Sequence, residues 1–237
     1  MFRDIDYNLF ASLKGEFEAE GLTRSDVAAE ALFAARQGLD YLVKISGAEA
    51  KSDVFYLADL GITALVCPMV ETAFAMEKYM EMLPRGAFEH VGVTIETITA
   101  VENIDAILAV GESLTEVTIG RTDLTASYKG AGVESDRTIE MVMTVARAAK
   151  AKALKVTMGG SVSKHTRELL QSNAELRGLL NYVETRKAVL PVESFLDESA
   201  LTHALKLEEL LLKRRGRESE RTLPAVTARL EALTKRA

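Results

Sequence analysis

Short runs rich in β-branched and apolar residues alternate with helix-period segments along most of this chain, and that alternation restricts the fold more than any other feature. The strand candidates are 14–20, 41–46, 64–70, 91–97, 115–120, 154–159 and 182–189. Helical patterns fill the gaps at 24–37, 49–60, 72–82, 98–109, 134–152 and 164–177. Short connections between such units imply parallel strands joined by right-handed crossovers. At 237 residues the expected fold class is α/β, a TIM-type (β/α)8 barrel in preference to an open sheet. Seven strands are convincing. The eighth is expected before residue 14, in the weak segment 7–13, which would make the barrel irregular at its first strand.

Alternation inside the strands predicts which side chains enter the barrel. In 91–96, Val91, Val93 and Ile95 form a face for the helices, while Gly92, Thr94 and Glu96 face the axis. By the same count Lys44 and Ser46 point inward opposite Val43 and Ile45, and Lys155 and Thr157 oppose Leu154, Val156 and Met158. Glu16, Glu18 and Glu20 share one face of the first strand. Carboxylates aimed into a barrel need cations or a metal, because burying an unpaired charge is costly. After Pro191 the pattern changes to two amphipathic helices, about 197–214 and 223–235, separated by Arg214-Arg215-Gly216-Arg217-Glu218-Ser219. Leu201, Leu205, Leu207, Leu210, Leu211 and Leu212 give the first a broad apolar side that needs a partner. The chain thus divides into a barrel over 1–190 and a C-terminal helical extension over 191–237 that caps the barrel or serves oligomerisation.

Composition removes several function classes. The 29 Lys+Arg against 35 Asp+Glu give a formal net charge of −6, and the basic residues are dispersed, which argues against nucleic acid as a partner. One cysteine, Cys67, excludes an internal disulfide and a cysteine-based zinc site. Its place in the apolar run Ala64 to Val70 predicts a buried structural thiol. No 18-residue apolar run occurs, so neither membrane spanning nor secretion is indicated, and a cytoplasmic chain with a small-molecule partner is expected.

Chemistry concentrates at two strand ends. Glu96 closes Val93-Thr94-Ile95-Glu96, and Asp123 follows the next strand in Gly120-Arg121-Thr122-Asp123-Leu124. Two carboxylates delivered from neighbouring strands suit Mg²⁺ or Mn²⁺, which take oxygen ligands and keep positions for water and substrate. Asp123 alone would read as a turn or cap residue; the inward Glu96 one strand earlier favours a metal ligand. Gly120 permits close backbone approach, so the amides from Arg121 to Asp123 could hold a substrate carboxylate. Lys44 reads as a cation for substrate, as a partner of the glutamates, or as a Schiff-base nucleophile. Gly159-Gly160-Ser161 suits an anion but is also a common turn. Arg186 could clamp an anionic substrate or pair with a barrel glutamate. Glu71 reads as the opening of a helix. None of His90, His165 and His203 falls at the carboxyl end of a strand, so no histidine base is evident.

The segments Phe17-Glu18-Ala19-Glu20-Gly21, Val43-Lys44-Ile45, Cys67-Pro68-Met69-Val70, Ile95-Glu96-Thr97, Asn103 to Leu108 and Ile119 to Ser127 together resemble the HpcH/HpaI aldolase and citrate lyase β-subunit family, in the phosphoenolpyruvate/pyruvate superfamily. The resemblance covers roughly residues 14–187. It implies a metal-dependent carbon–carbon lyase or aldolase in which Mg²⁺ or Mn²⁺ chelates pyruvate or a related 2-oxo acid and stabilises its enolate. On that pattern Glu96 and Asp123 match the metal ligands, and Glu20 matches an acid that holds water on the metal. Lys44 stands where the family has an arginine on the substrate carboxylate, and Gly120, Arg121 and Thr122 match the segment receiving it. Two departures bear on mechanism. The aldolase branch carries a histidine base directly after the first-strand acid, here Gly21, and a lysine binds a carboxylate with less geometric restriction than an arginine. Family members also lead to the expectation of a homo-oligomer. Two other readings stand beside this one: phosphoenolpyruvate-type phosphoryl chemistry held by Gly159-Gly160 and Arg186, and a non-catalytic barrel serving as a binding module.

Overall fold

The computed structural model describes residues 4–216 and 223–236; part of the expected basic linker, 217–219, lies outside them. In chain order the first half comprises β1 Ser12–Glu16, α1 Phe17–Glu20, α2 Arg24–Arg36, β2 Asp40–Lys44, α3 Lys51–Asp59, β3 Ala64–Cys67, α4 Ala73–Met82, β4 His90–Ile95, α5 Ile98–Glu102 and α6 Ile104–Ala109. The second half comprises β5 Glu116–Gly120, α7 Arg121–Ser127, α8 Asp136–Ala151, β6 Lys155–Gly159, α9 Lys164–Ser172, α10 Ala174–Leu179, β7 Tyr182–Glu184, β8 Ala188–Pro191, α11 Val192–Phe195, α12 Glu198–Gly216 and α13 Leu223–Arg236. The strands close into a barrel in the order β1 to β8. Pairing is parallel from β1 through β7.

The eighth strand corrects the expectation from sequence. Tyr7–Leu9 is a turn of 3-10 helix, and the missing strand is β8, antiparallel to both β7 and β1. Thus 182–189 is not one strand. It reverses at Thr185 to Lys187, where the Thr185 amide donates to the Ala188 carbonyl at 2.9 Å. No glycine or proline marks that reversal, which is why an uninterrupted apolar run concealed it. The first strand is also shorter than expected. It stops at Glu16, and Phe17–Glu20 is one helical turn closed at Gly21, so Glu16, Glu18 and Glu20 do not share a face.

Val91, Val93 and Ile95 do lie in the main core between barrel and helices, as the alternation requires. Inside the barrel a small apolar floor of Leu42, Ala64, Val66 and Val189 gives way to buried Thr94, Thr118 and Thr157 toward the carboxyl ends. At the opposite, amino ends of the strands, Glu116 accepts from the Thr157 hydroxyl at 2.8 Å; burial raises its carboxyl above the ordinary value. Ser46 does not reach the interior, since its hydroxyl donates to Asp53 of α3 at 2.7 Å.

The leucine side of α12 is covered within the chain itself. Leu201, Leu205, Leu207, Leu210, Leu211 and Leu212 are buried, together with Val226 and Leu233 of α13, and all belong to the main core. Among the described residues no helix is long and apolar enough to cross a membrane.

Candidate active site

The strand carboxyl ends open into a cavity of about 390 Å³. Most of the side chains that line it are polar or charged. Glu16 and Lys44 enter from the ends of β1 and β2, Thr94 and Glu96 from β4, Gly120, Thr122 and Asp123 from the β5–α7 junction, and Glu184 and Arg186 from the β7–β8 hairpin. Helix α7 starts immediately at Arg121 and fixes Asp123 in its first turn.

Glu96 is 2% exposed. It accepts from the Met69 amide at 3.0 Å and from Lys44 Nζ at 3.2 Å. Desolvation raises its carboxyl above the ordinary value; Lys44 and the Met69 amide oppose this shift, and neighbouring Asp123 adds to it. Met69 holds a left-handed φ of 55° to present that amide, a strain consistent with its place beside a polar site. A Cβ at Gly120 would stand 2.8 Å from Glu96 Oε2, so the glycine leaves room for the Glu96 carboxylate. A Cβ at Gly160, where φ is +84°, would stand 2.5 Å from the Thr122 nitrogen and 2.7 Å from that of Arg121. Only glycine leaves the front of those amides clear.

Lys14, unassigned by the motifs, lies on the cavity floor at 3.0 Å from Glu16 and 2.5 Å from Glu184. Burial would lower its ammonium, yet attraction to Glu184 and Glu16 overrides this and raises it. Glu16 shows the converse: burial favours its neutral form, but Lys14, Lys44 and Arg186 hold it down at about 2. One oxygen of Glu184, Oε2, is buried without a hydrogen bond.

Two candidates are placed elsewhere. Glu20 turns away from the cavity to Lys187 Nζ at 2.6 Å, in a buried cluster with Glu30, whose carboxylate Lys187 also holds at 2.8 Å. Desolvation by burial pushes Glu20 up to about 7. The strand-end acid facing the cavity is Glu16, and the residue after it is buried Phe17, so this frame places no base there either. The Arg121 guanidinium is fully buried beneath the site. It donates to the Gly159 and Gly160 carbonyls at 3.0 Å each and to Thr166 at 3.2 Å, tying the β6–α9 loop to α7. Arg186 does reach the cavity, as does Arg229 of α13, which no motif announced.

A hard divalent cation fits this donor set. The lining carboxylates Glu16, Glu96, Asp123 and Glu184 are balanced in number by Lys14, Lys44, Arg186 and Arg229, so the fit rests on the donors being oxygens and on Glu96 and Asp123 entering from neighbouring strand ends. Among the described residues no three His, Cys, Asp or Glu side chains converge as a cage, so the protein could offer two ligands and leave the rest to water and substrate. Cys67 is excluded from this chemistry: it is buried, and desolvation pushes its thiol up to about 12. Glu71 accepts from the Thr97 hydroxyl at 2.6 Å and braces the loop before α5.

Among solved structures, an HpcH/HpaI aldolase from Desulfitobacterium hafniense is similar at a TM-score of 0.57 and 20% identity, with 66% of this chain and 71% of that one covered. An HpcH/HpaI aldolase/citrate lyase family protein from Burkholderia cenocepacia aligns at 0.60 and 17% identity over 68% and 75% of the two chains. The citrate synthase SbnG aligns at 0.59 and 15% identity over 69% and 74%. At these identities the likeness establishes the fold. No curated protein sequence matches. The HpcH/HpaI aldolase/citrate lyase family itself matches residues 25–179, more than half of the sequence and most of the barrel, and the chain therefore belongs to this family of aldolases and lyases.

Proposed function

We propose that this chain is a divalent-metal-dependent lyase or aldolase that makes or breaks a carbon–carbon bond beside the carbonyl of pyruvate or a related 2-oxo acid. The observation that carries this reading is the convergence of Glu96 and Asp123 on one polar cavity at the strand carboxyl ends. These two side chains would hold Mg²⁺ or Mn²⁺. When bound, the ion supplies electrophilic stabilisation of the charge that develops on the 2-oxo acid oxygen.

The remaining work falls to the chain's own groups. Gly120, Thr122 and Gly160 form the cradle for the substrate carboxylate, with the Arg121 and Thr122 amides as donors; the Arg121 side chain acts only by holding this cradle in place. Lys44 adds positive charge to the same carboxylate. In the cleavage direction the bond between C3 and C4 of a 4-hydroxy-2-oxo acid breaks. The C4 hydroxyl loses its proton as an aldehyde leaves, and C3 regains one as pyruvate forms. Glu184 Oε2, buried and without a hydrogen bond, is the acceptor best placed for that proton. Glu16, held ionised by its cations, positions water and does not donate. Exposed Leu32 and Leu60 line one surface groove, an apolar area that association into a homo-oligomer would cover.

Calorimetric titration with Mn²⁺ tests the core of this reading. Wild type binds, Glu96→Gln and Asp123→Asn lose at least about 10-fold in affinity, and a panel of 4-hydroxy-2-oxo acids yields pyruvate. Undiminished Mn²⁺ binding by both variants would end the proposal.

A further inference from the structure

One charge lies deep beneath the carboxylate cradle without a counter-ion at hydrogen-bond distance. The Arg121 guanidinium is fully buried, and burial pulls it down to about 10, with Glu134 opposing the shift. Its Nε donates to the Gly159 carbonyl and its Nη2 to the Gly160 carbonyl and to Thr166, whereas Nη1 is buried without a hydrogen bond. Among the described residues its ion-pair partner is Glu134, on the connection between α7 and α8, whose Oε1 lies 3.8 Å from Nη1. That residue stands outside the cavity. It borders a surface groove with Asp136 and Glu140, and its carboxylate accepts from the Thr166 hydroxyl at 2.6 Å.

A hydroxyl has one proton and two lone pairs. The Thr166 proton goes to Glu134, so its lone pairs receive Arg121 Nη2 and the Ser163 amide, at 3.2 and 3.1 Å. Glu134 thereby holds the guanidinium twice, through Thr166 and by direct attraction. The guanidinium in turn holds the peptides that follow Gly159 and Gly160 by their carbonyl oxygens. In a trans peptide the N–H points opposite to the C=O, so with both carbonyls turned onto Arg121 the Gly160 and Ser161 N–H groups are directed away from it. Gly160 and Ser161 line the cavity. A buried charge stripped of its partner is costly and is drawn toward water. Such a movement of Arg121 would release the two carbonyls, and an oxygen rotated into the cavity repels a carboxylate.

We infer that Glu134 is a positioning residue for 2-oxo acid binding: from outside the cavity it anchors Arg121, and Arg121 sets the peptides of the carboxylate cradle. The inference rests on the 2-oxo acid reading above and extends it to a residue beyond the cavity wall. The sign of one substitution is thereby fixed. Taking a negative charge from beneath an anion site by itself tightens that site, so weaker carboxylate binding on loss of the Glu134 charge arises only from displaced donors.

The test is calorimetry of the full chain with Mn²⁺ alone, then with pyruvate at saturating Mn²⁺. Glu134→Gln removes the charge and keeps an oxygen for Thr166. It should bind Mn²⁺ within about 2-fold of wild type and pyruvate at least about 5-fold more weakly, because small misplacements of binding groups are costly. Thr166→Val leaves Glu134 charged but removes the hydroxyl between it and Arg121, and should show the same split; both variants are melted to confirm folding. Asp123 lies in the same first turn of α7 as Arg121, so general damage to the β5–α7 junction would weaken Mn²⁺ as well. Parallel loss of Mn²⁺ and pyruvate binding would therefore overturn the inference. Unchanged or tighter pyruvate binding in either folded variant would overturn it too and leave the 2-oxo acid reading standing. Failure of wild type to bind pyruvate with Mn²⁺ would remove both. Where one variant does not fold, the other decides.

Discussion

Replacing Lys14 by methionine keeps an unbranched side chain in the barrel but removes the charge that Glu16 and Glu184 share. The ammonium is 4% exposed and lies 3.0 and 2.5 Å from those two carboxylates. Glu16 sits at about 2 against an ordinary 4.5. At about 1.4 kcal/mol for each tenfold change in ionisation constant, that difference corresponds to about 3–4 kcal/mol of folding free energy at neutral pH. Lys14 is the strongest of the attractions that outweigh burial there. Removing one partner of a buried ion pair typically costs about 3–5 kcal/mol, so the two routes agree. An acid whose folded value is depressed contributes stability above its unfolded value and loses it as pH falls through the folded one. The deficit of Lys14→Met should therefore be widest at pH 7 and narrow as pH drops from 4.5 toward 2. Urea unfolding of both proteins at pH 7, 5 and 3.5 measures it. A deficit under about 1 kcal/mol, or one equal at all three pH values, would refute the assignment of Lys14 as the counter-ion of the floor.

Two further outcomes follow from the cradle. Gly160→Ala places a methyl group 2.5 Å from the Thr122 nitrogen at a φ of +84°; it should weaken 2-oxo acid binding at least about 10-fold while costing about 1–2 kcal/mol of stability, and calorimetry with unchanged affinity would contradict the cradle. Arg121→Met strips three hydrogen bonds from a fully buried guanidinium and should lower the unfolding free energy by about 2–3 kcal/mol. A denaturation curve matching wild type, with turnover lost, would return that side chain to the substrate.

Strands β2 to β6 were legible because each is an apolar run whose alternate residues have separate destinations. Val91, Val93 and Ile95 pack under helices and Thr94 and Glu96 face inward, so the period of two survives intact in the sequence. The barrel's ends were harder to read. Phe17–Glu20 is a single helical turn, too short to display a period of 3.6, and its Glu-x-Glu spacing imitates a strand. The reversal at Thr185 to Lys187 lacks the turn residues that normally announce a hairpin. In both places the deciding interactions are tertiary: Lys187 is drawn to Glu20 and Glu30, and β8 finds its partners on β7 and β1.

The same division runs through the site. Glu96, Gly120 and Asp123 could be found because a strand's carboxyl end has a fixed relation to its sequence, so spacing alone brings them together. Glu20 could not be placed, since β1 ends four residues earlier at Glu16 and the helical turn Phe17–Glu20 carries Glu20 away to Lys187, so Glu16 occupies the position instead. Lys14 is legible in the sequence: two residues before Glu16, it falls on the same inner face of β1. Arg229 was not, because nothing local to α13 encodes its direction. It reaches the cavity only because the leucine face of α12 docks on the barrel and buried Glu208 fixes the guanidinium. Residues that follow from strand register thus supply the chemistry common to such a barrel. Those delivered by long-range packing, as Arg229 is, leave no local signal from which to find them.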